Sequence, residues 1–150
     1  MGIIHFLNVN EGDCTWIHHA SGRNTIIDVS AAAAITEFAS ASGNHQQKNY
    51  PVNPIQYLKD FGVSTIFRFI LTHPDMDHMD GLKNLANSKP ILNFWDTANT
   101  KEQSFDEHGN CGRYKKEDWD CYQRLRNIAN NPKSLTSTLR AIAKYFAEDD

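Results

Sequence analysis

The sequence predicts an α/β sandwich on three observations. Three short apolar runs rich in β-branched residues follow one another closely within residues 3–29. Helix-like and strand-like segments then alternate through residues 54–95. Turn and cap residues (Ser21-Gly22-Arg23-Asn24, then Asn53-Pro54) punctuate these blocks at the positions where such folds change direction.

Taken in order, residues 3–9 read as a strand, broken by Asn10, Glu11, Gly12 and Asp13. Residues 14–19 and 25–29 read as the second and third strands of an antiparallel meander. Residues 31–41 have helix-forming composition with few large apolar groups. A polar loop over 43–52 ends at Asn53 and Pro54, the N-cap and first-turn signature of a helix. That helix turns Ile55, Leu58 and Phe61 to one face, and Gly62 fits its left-handed stop. Residues 65–71 form an apolar strand expected to be buried on both faces. Residues 81–88 are a short helix with Leu82 and Leu85 inward, and 91–95 a further strand. Residues 97–112 are polar, with neither period. Trp119, Tyr122, Leu125 and Ala129 then mark a helix over 116–129, and Leu135, Leu139, Ile142 and Phe146 mark another after Asn131-Pro132.

Composition narrows the class. An apolar content of 40% with 22% charged residues suits a globular chain, and no apolar run approaches the ~20 residues of a membrane span. The opening Met1-Gly2-Ile3-Ile4-His5 lacks the basic region and cleavage site of a secretory signal. Three cysteines, Cys14, Cys111 and Cys121, make no disulfide framework, so a reducing cytoplasm is expected. Residues 113–144 hold eight Lys or Arg against three Asp or Glu, whereas residues 1–112 hold seven against twelve. The basic segment could approach a phosphate-bearing substrate, although solvated helix faces explain it more simply.

The chemistry concentrates in Thr72-His73-Pro74-Asp75-Met76-Asp77-His78-Met79-Asp80-Gly81. Two imidazoles and neighbouring carboxylates follow directly on an apolar strand. A strand end is rigid, a tight loop can converge several side chains, and imidazole nitrogen with carboxylate oxygen is a donor set that divalent ions accept. Close carboxylates repel one another, and a cation or open solvent must offset that. A solvated acidic loop with two incidental histidines is the plainer alternative. Its position between an apolar strand and a Gly-Leu helix start argues against that.

This motif resembles the metal-binding signature of the metallo-β-lactamase superfamily. It is most similar to the variant with Asp at the second ligand position, found in the β-lactamase-like domains of DNA-uptake competence proteins of the ComEC type. Residues 4–14, Asn24-Thr25-Ile26-Ile27-Asp28, and residues 57–62 followed by 66–73 are similar to the family's opening loop, Asp-ended strand, and helix with motif strand. The resemblance covers about residues 3–97.

It implies a four-layer αββα sandwich whose amino-terminal half is residues 1–97, with residues 98–150 a polar loop and helical extension. It implies that His73 and Asp75 serve one metal and Asp77 and His78 a second, with Asp77 also orienting the attacking water. Asp28 would support the motif loop from behind, and Asp13 with Gly12 would shape the loop beneath. Two divalent ions follow, zinc first, with manganese or magnesium made plausible by the carboxylate of Asp75. The implied substrate is a phosphodiester, DNA among the candidates, with other hydrolysable bonds left open. Asn10, Ser30 and Asp80 depart from the family's usual glycines without removing a ligand. The later histidines and bridging Asp of the family have no counterpart after residue 97, where His108 is the one histidine. With about four of the family's roughly seven ligands present, these residues alone are expected to bind metal weakly and not to catalyse unless a partner or further chain supplies the rest. A half-domain that binds a partner, or awaits a missing half, is therefore the second expectation. A nucleic-acid-binding module built on the basic helices alone is the third.

Weaker candidates are Asp106, His108, Cys111 and Cys121 as a zinc knot, and Asp96 at a strand end facing the site. His18 and His19 are adjacent in a strand and point opposite ways. His5 and His45 read as ordinary strand and loop residues. No phosphate-binding glycine loop and no nucleophile elbow is present.

Overall fold

The computed structural model describes residues 1–9, 11–30 and 51–130. The helices expected at 31–41 and after Asn131, together with His45, lie outside these residues.

Strands β1 (Ile3–Phe6), β2 (Thr15–His18) and β3 (Asn24–Ile27) form the antiparallel meander. Helix α1 (Pro54–Asp60) follows, and β4 (Arg68–Ile70) then pairs parallel to β3. A 3-10 turn (Met76–His78) and helix α2 (Leu82–Ser88) lead to β5 (Phe94–Trp95), parallel to β4. The result is one mixed sheet in the order β1-β2-β3-β4-β5. A small hairpin, β6 (Asn110–Cys111) and β7 (Tyr114–Lys115), precedes helix α3 (Lys116–Asn130).

Register decides which side chains share a face. Directly opposed residues point the same way, so His5, Trp16, Ile26, Phe69 and Phe94 form one row across all five strands. Trp16, Ile26, Phe69 and Phe94 are buried on that row beside Leu58 of α1, Leu82 and Leu85 of α2, and Trp119, Tyr122 and Leu125 of α3. The core is therefore continuous from residue 9 to residue 125, and α3 is part of it. The opposite face carries Ile4, Ile17, Ile27 and Ile70 and is only partly covered, with Ile4 and Phe6 exposed.

Local signals explain the ends of α1. The Asn53 side chain accepts hydrogen bonds from the backbone N–H of Ile55 (2.9 Å) and Gln56 (3.2 Å), satisfying donors that lack helical partners. Gly62 adopts φ 71°, the left-handed turn that ends the helix.

Three details differ from the sequence expectation. Phe61 is not inward but 56% exposed, at the rim of an aromatic group with His5, Trp16 and Tyr57. In β4 only Phe69 is fully buried. Arg68 turns to the other face, where its guanidinium stacks 3.8 Å from the Trp95 ring centroid. The polar stretch after residue 97 ends in the β6–β7 hairpin, which two-residue strands give no periodicity to reveal.

Candidate metal centre

The motif loop leaves the end of β4 and divides its residues by chemistry. Pro74, Met76 and Met79 are buried and pin the loop to the core, while His73, Asp75 and Asp77 stay accessible. The apolar residues between the polar ones thus act as anchors. The backbone completes the fixing: Val29 N–H donates to the His78 carbonyl at 3.0 Å, tying the loop to the chain beyond β3.

Asp28 organises the loop. It is 1% exposed and adopts φ 55°, a left-handed conformation that Asp tolerates better than most residues. Its Oδ1 accepts from Thr72 N (2.8 Å), and its Oδ2 accepts from Thr72 Oγ1 (2.6 Å). That second oxygen also lies 2.8 Å from His78 Nδ1. Both carboxylate oxygens are therefore engaged in holding the loop.

These bonds set the histidines. With Nδ1 of His78 on Asp28, its Nε2 faces Asp77, 3.7 Å from Oδ2. Thr72 Oγ1 lies 3.0 Å from His73 Nδ1, and His73 Nε2 faces Asp75 Oδ2 at 3.8 Å. The two rings lie 3.8 Å apart, centre to centre. Each imidazole thus has one nitrogen anchored and the other beside a carboxylate. A hydrogen bond that fixes the far nitrogen is how proteins orient an imidazole for a cation.

The opening loop closes the site from below. Ligand atoms of Asp13, Asp28 and His78 all lie within 4.8 Å of one another; among the described residues this is the group of three or more possible ligands that forms, and His73, Asp75 and Asp77 are not brought into it. Gly12 adopts φ 72°, and a Cβ there would stand 2.0 Å from the Asp77 carbonyl oxygen. Only glycine permits that approach. Burial, with Asp28 and Asp13 nearby, pushes the Cys14 thiol up, so this neighbour does not supply a thiolate.

Residues 98–130 add groups that the motif alone did not indicate. Lys101 Nζ donates to Asp75 Oδ1, and this bond holds the Asp75 carboxyl below the usual range against the opposing pull of burial. Asp118, at the start of α3, accepts from Gly81 N (3.1 Å) and Lys83 N (2.9 Å) and so caps α2 where the motif ends. Thr72 stood within the motif, but its hydroxyl role depends on Asp28. Lys101 and Asp118 carry no local sequence signal, since their partners lie 26 and at least 35 residues away.

The weaker candidates go elsewhere. Asp106 Oδ1 accepts from His108 N and Asn110 N, making a turn. Cys121 is buried, and the His108 side chain is 75% exposed. Among the described residues these groups form no cluster of possible metal ligands. Asp96 faces α3, where Tyr122 Oη donates to it at 2.8 Å. Burial raises its carboxyl despite Tyr122 and Arg126. His18 bonds Asn24 and His19 bonds Thr25, residues on opposite faces of β3.

No known family model matches the chain, and no curated protein is significantly similar to it. Among the described residues no helix is long and apolar enough to cross a membrane.

Proposed function

We propose that this chain belongs to a metal-dependent hydrolase domain of the metallo-β-lactamase type, acting on phosphodiester bonds when its ligand set is complete. The observation that carries the reading is the His78–Asp28 pair, because it presents Nε2 of a buried imidazole toward Asp77 beside the ring of His73. A solvated acidic loop has no need of a buried carboxylate spent entirely on its geometry.

The donor chemistry suits divalent cations: imidazole nitrogen and carboxylate oxygen pair at 3.8 Å in His73–Asp75 and at 3.7 Å in His78–Asp77, assigned here to one ion each, while Asp13 and Asp28 gather beside His78. Bound there, such ions supply Lewis-acid charge that activates water and offsets the negative charge developing on phosphoryl oxygen. Zinc suits the imidazoles, and the carboxylates admit manganese or magnesium. Asp77, half-buried at the rim, accepts a hydrogen bond from the attacking water and orients it. Asp28 keeps His78 in the tautomer that leaves Nε2 free, and Asp13 adds negative charge beneath the pair.

The partly covered apolar sheet face supports a second reading. In a four-layer αββα arrangement Ile4, Phe6, Ile17, Ile27 and Ile70 would pack against another sheet. These 150 residues would then be a half-domain that binds a partner and lacks catalysis by itself. Metal content after purification, and cleavage of a chromogenic phosphodiester with Mn²⁺ or Zn²⁺, separate the two. Activity in the wild type that His73→Ala and Asp77→Ala both abolish supports the hydrolase. Absence of bound metal at micromolar concentration sinks it.

A further inference from the structure

Lys101 occupies an unusual position for a surface lysine. Its ammonium meets Asp75 inside the motif, although its own backbone belongs to the polar stretch after β5. That backbone is not loose. Lys101 N donates to Asn99 Oδ1 at 3.2 Å, and Arg126 also donates to this oxygen, at 3.2 Å. Asn99 Nδ2 in turn donates to the Tyr122 hydroxyl at 3.1 Å and to the Thr97 carbonyl at 2.9 Å. Behind them Asp96 is 2% exposed and Tyr122 fully buried. A rigid base built from β5 and α3 therefore delivers one cation to the edge of the motif.

The Lys101 and Asp75 side chains are 37% and 46% exposed, and pairs this open add little to stability. A divalent cation carries twice the charge and competes for the same carboxylate. Once Asp75 is taken, the ammonium is released, and the anchored backbone keeps it beside the site. Arg113, in the turn between β6 and β7, pairs with Glu11 at 3.1 Å. Residues 98–130 thus bring two cations, Lys101 and Arg113, against carboxylates of the motif and of the opening loop.

We propose that Lys101 is a substrate-positioning residue: it neutralises Asp75 in the metal-free chain and, in the metal-loaded chain, pairs with a phosphate oxygen of the substrate. This rests on the metal-dependent phosphodiester reading above and deepens it by naming the side chain that meets the phosphate. An ammonium is a point donor that suits a non-bridging phosphate oxygen.

Calorimetric titration with Zn²⁺ and with Mn²⁺, followed by inorganic phosphate on the metal-loaded protein, tests it in wild type, Lys101→Met and Lys101→Arg. Removing the competitor is expected to tighten metal binding by up to about five-fold in Lys101→Met. Phosphate affinity is expected to fall by about ten-fold or more in the same variant and to recover in Lys101→Arg. Thermal melting should be unchanged, since the pair is exposed. Phosphate affinity equal in all three proteins overturns the inference while leaving the metal site standing. Absence of metal binding in the wild type overturns both, and His73→Ala serves as the reference for that outcome.

Discussion

His78 Nδ1 lies 2.8 Å from Asp28 Oδ2, although 50 positions of sequence separate the two residues. One carboxylate at the end of β3 therefore decides which nitrogen of a motif histidine is available. Asp28→Asn suits the left-handed backbone at this position, so it tests the hydrogen bond with little added strain. Zinc affinity at the proposed site is expected to fall 10- to 100-fold, because the amide no longer fixes the ring and its tautomer. Zinc titration with circular dichroism as a folding control measures this. An affinity equal to wild type would remove Asp28 from the site.

Gly12 has a second, steric relation to the motif. Gly12→Ala forces a Cβ to within 2.0 Å of the Asp77 carbonyl oxygen at a φ that alanine disfavours. Stability is expected to drop by about 2–4 kcal/mol, with the Asp77 backbone displaced. Urea unfolding reads the loss. A variant as stable as wild type would mean that the two loops do not meet as described.

Asp118 links the last described helix to Gly81, the last residue of the motif, and to Lys83. Asp118→Ala leaves Gly81 N and Lys83 N without their acceptor and is expected to cost about 1–3 kcal/mol. Ending the chain after residue 97 removes Trp119, Tyr122 and Leu125 from the core and is expected to abolish cooperative thermal unfolding. A sharp transition in that shortened chain would instead make residues 1–97 a self-sufficient unit.

Tyr122 gives a pH signature. Burial pushes its hydroxyl up to about 12 from an ordinary value of 10. A folded-state value above the unfolded one means that the neutral tyrosine stabilises the fold. The contribution is complete below pH 10 and is lost as pH rises through 12. Wild type should therefore lose about 2–3 kcal/mol across that window relative to Tyr122→Phe, whose difference from it shrinks accordingly. Parallel stability curves for the two proteins between pH 9 and 12 would refute the assignment.

Much of this was legible in the residues themselves. The three opening strands, α1 with its Asn53-Pro54 cap and Gly62 stop, α2 and α3 all follow from periodicity and capping, which act over a few neighbouring positions. His73, Asp75, Asp77 and His78 were readable as candidate ligands because they stand within six residues of one another at a strand end. Those signals are local, and local physics writes them into composition and spacing.

Tertiary structure alone decided the rest. It determined that both oxygens of Asp28 serve Thr72 and His78, that Lys101 reaches Asp75, and that Asp118 caps α2. It also turned Phe61 outward and Asp96 toward Tyr122, and paired the two-residue strands of the hairpin. Each depends on where distant chain segments meet. A carboxylate has the same character in the sequence whether it will hold a histidine, cap a helix or face water. Only packing supplies its partner, and with it its role.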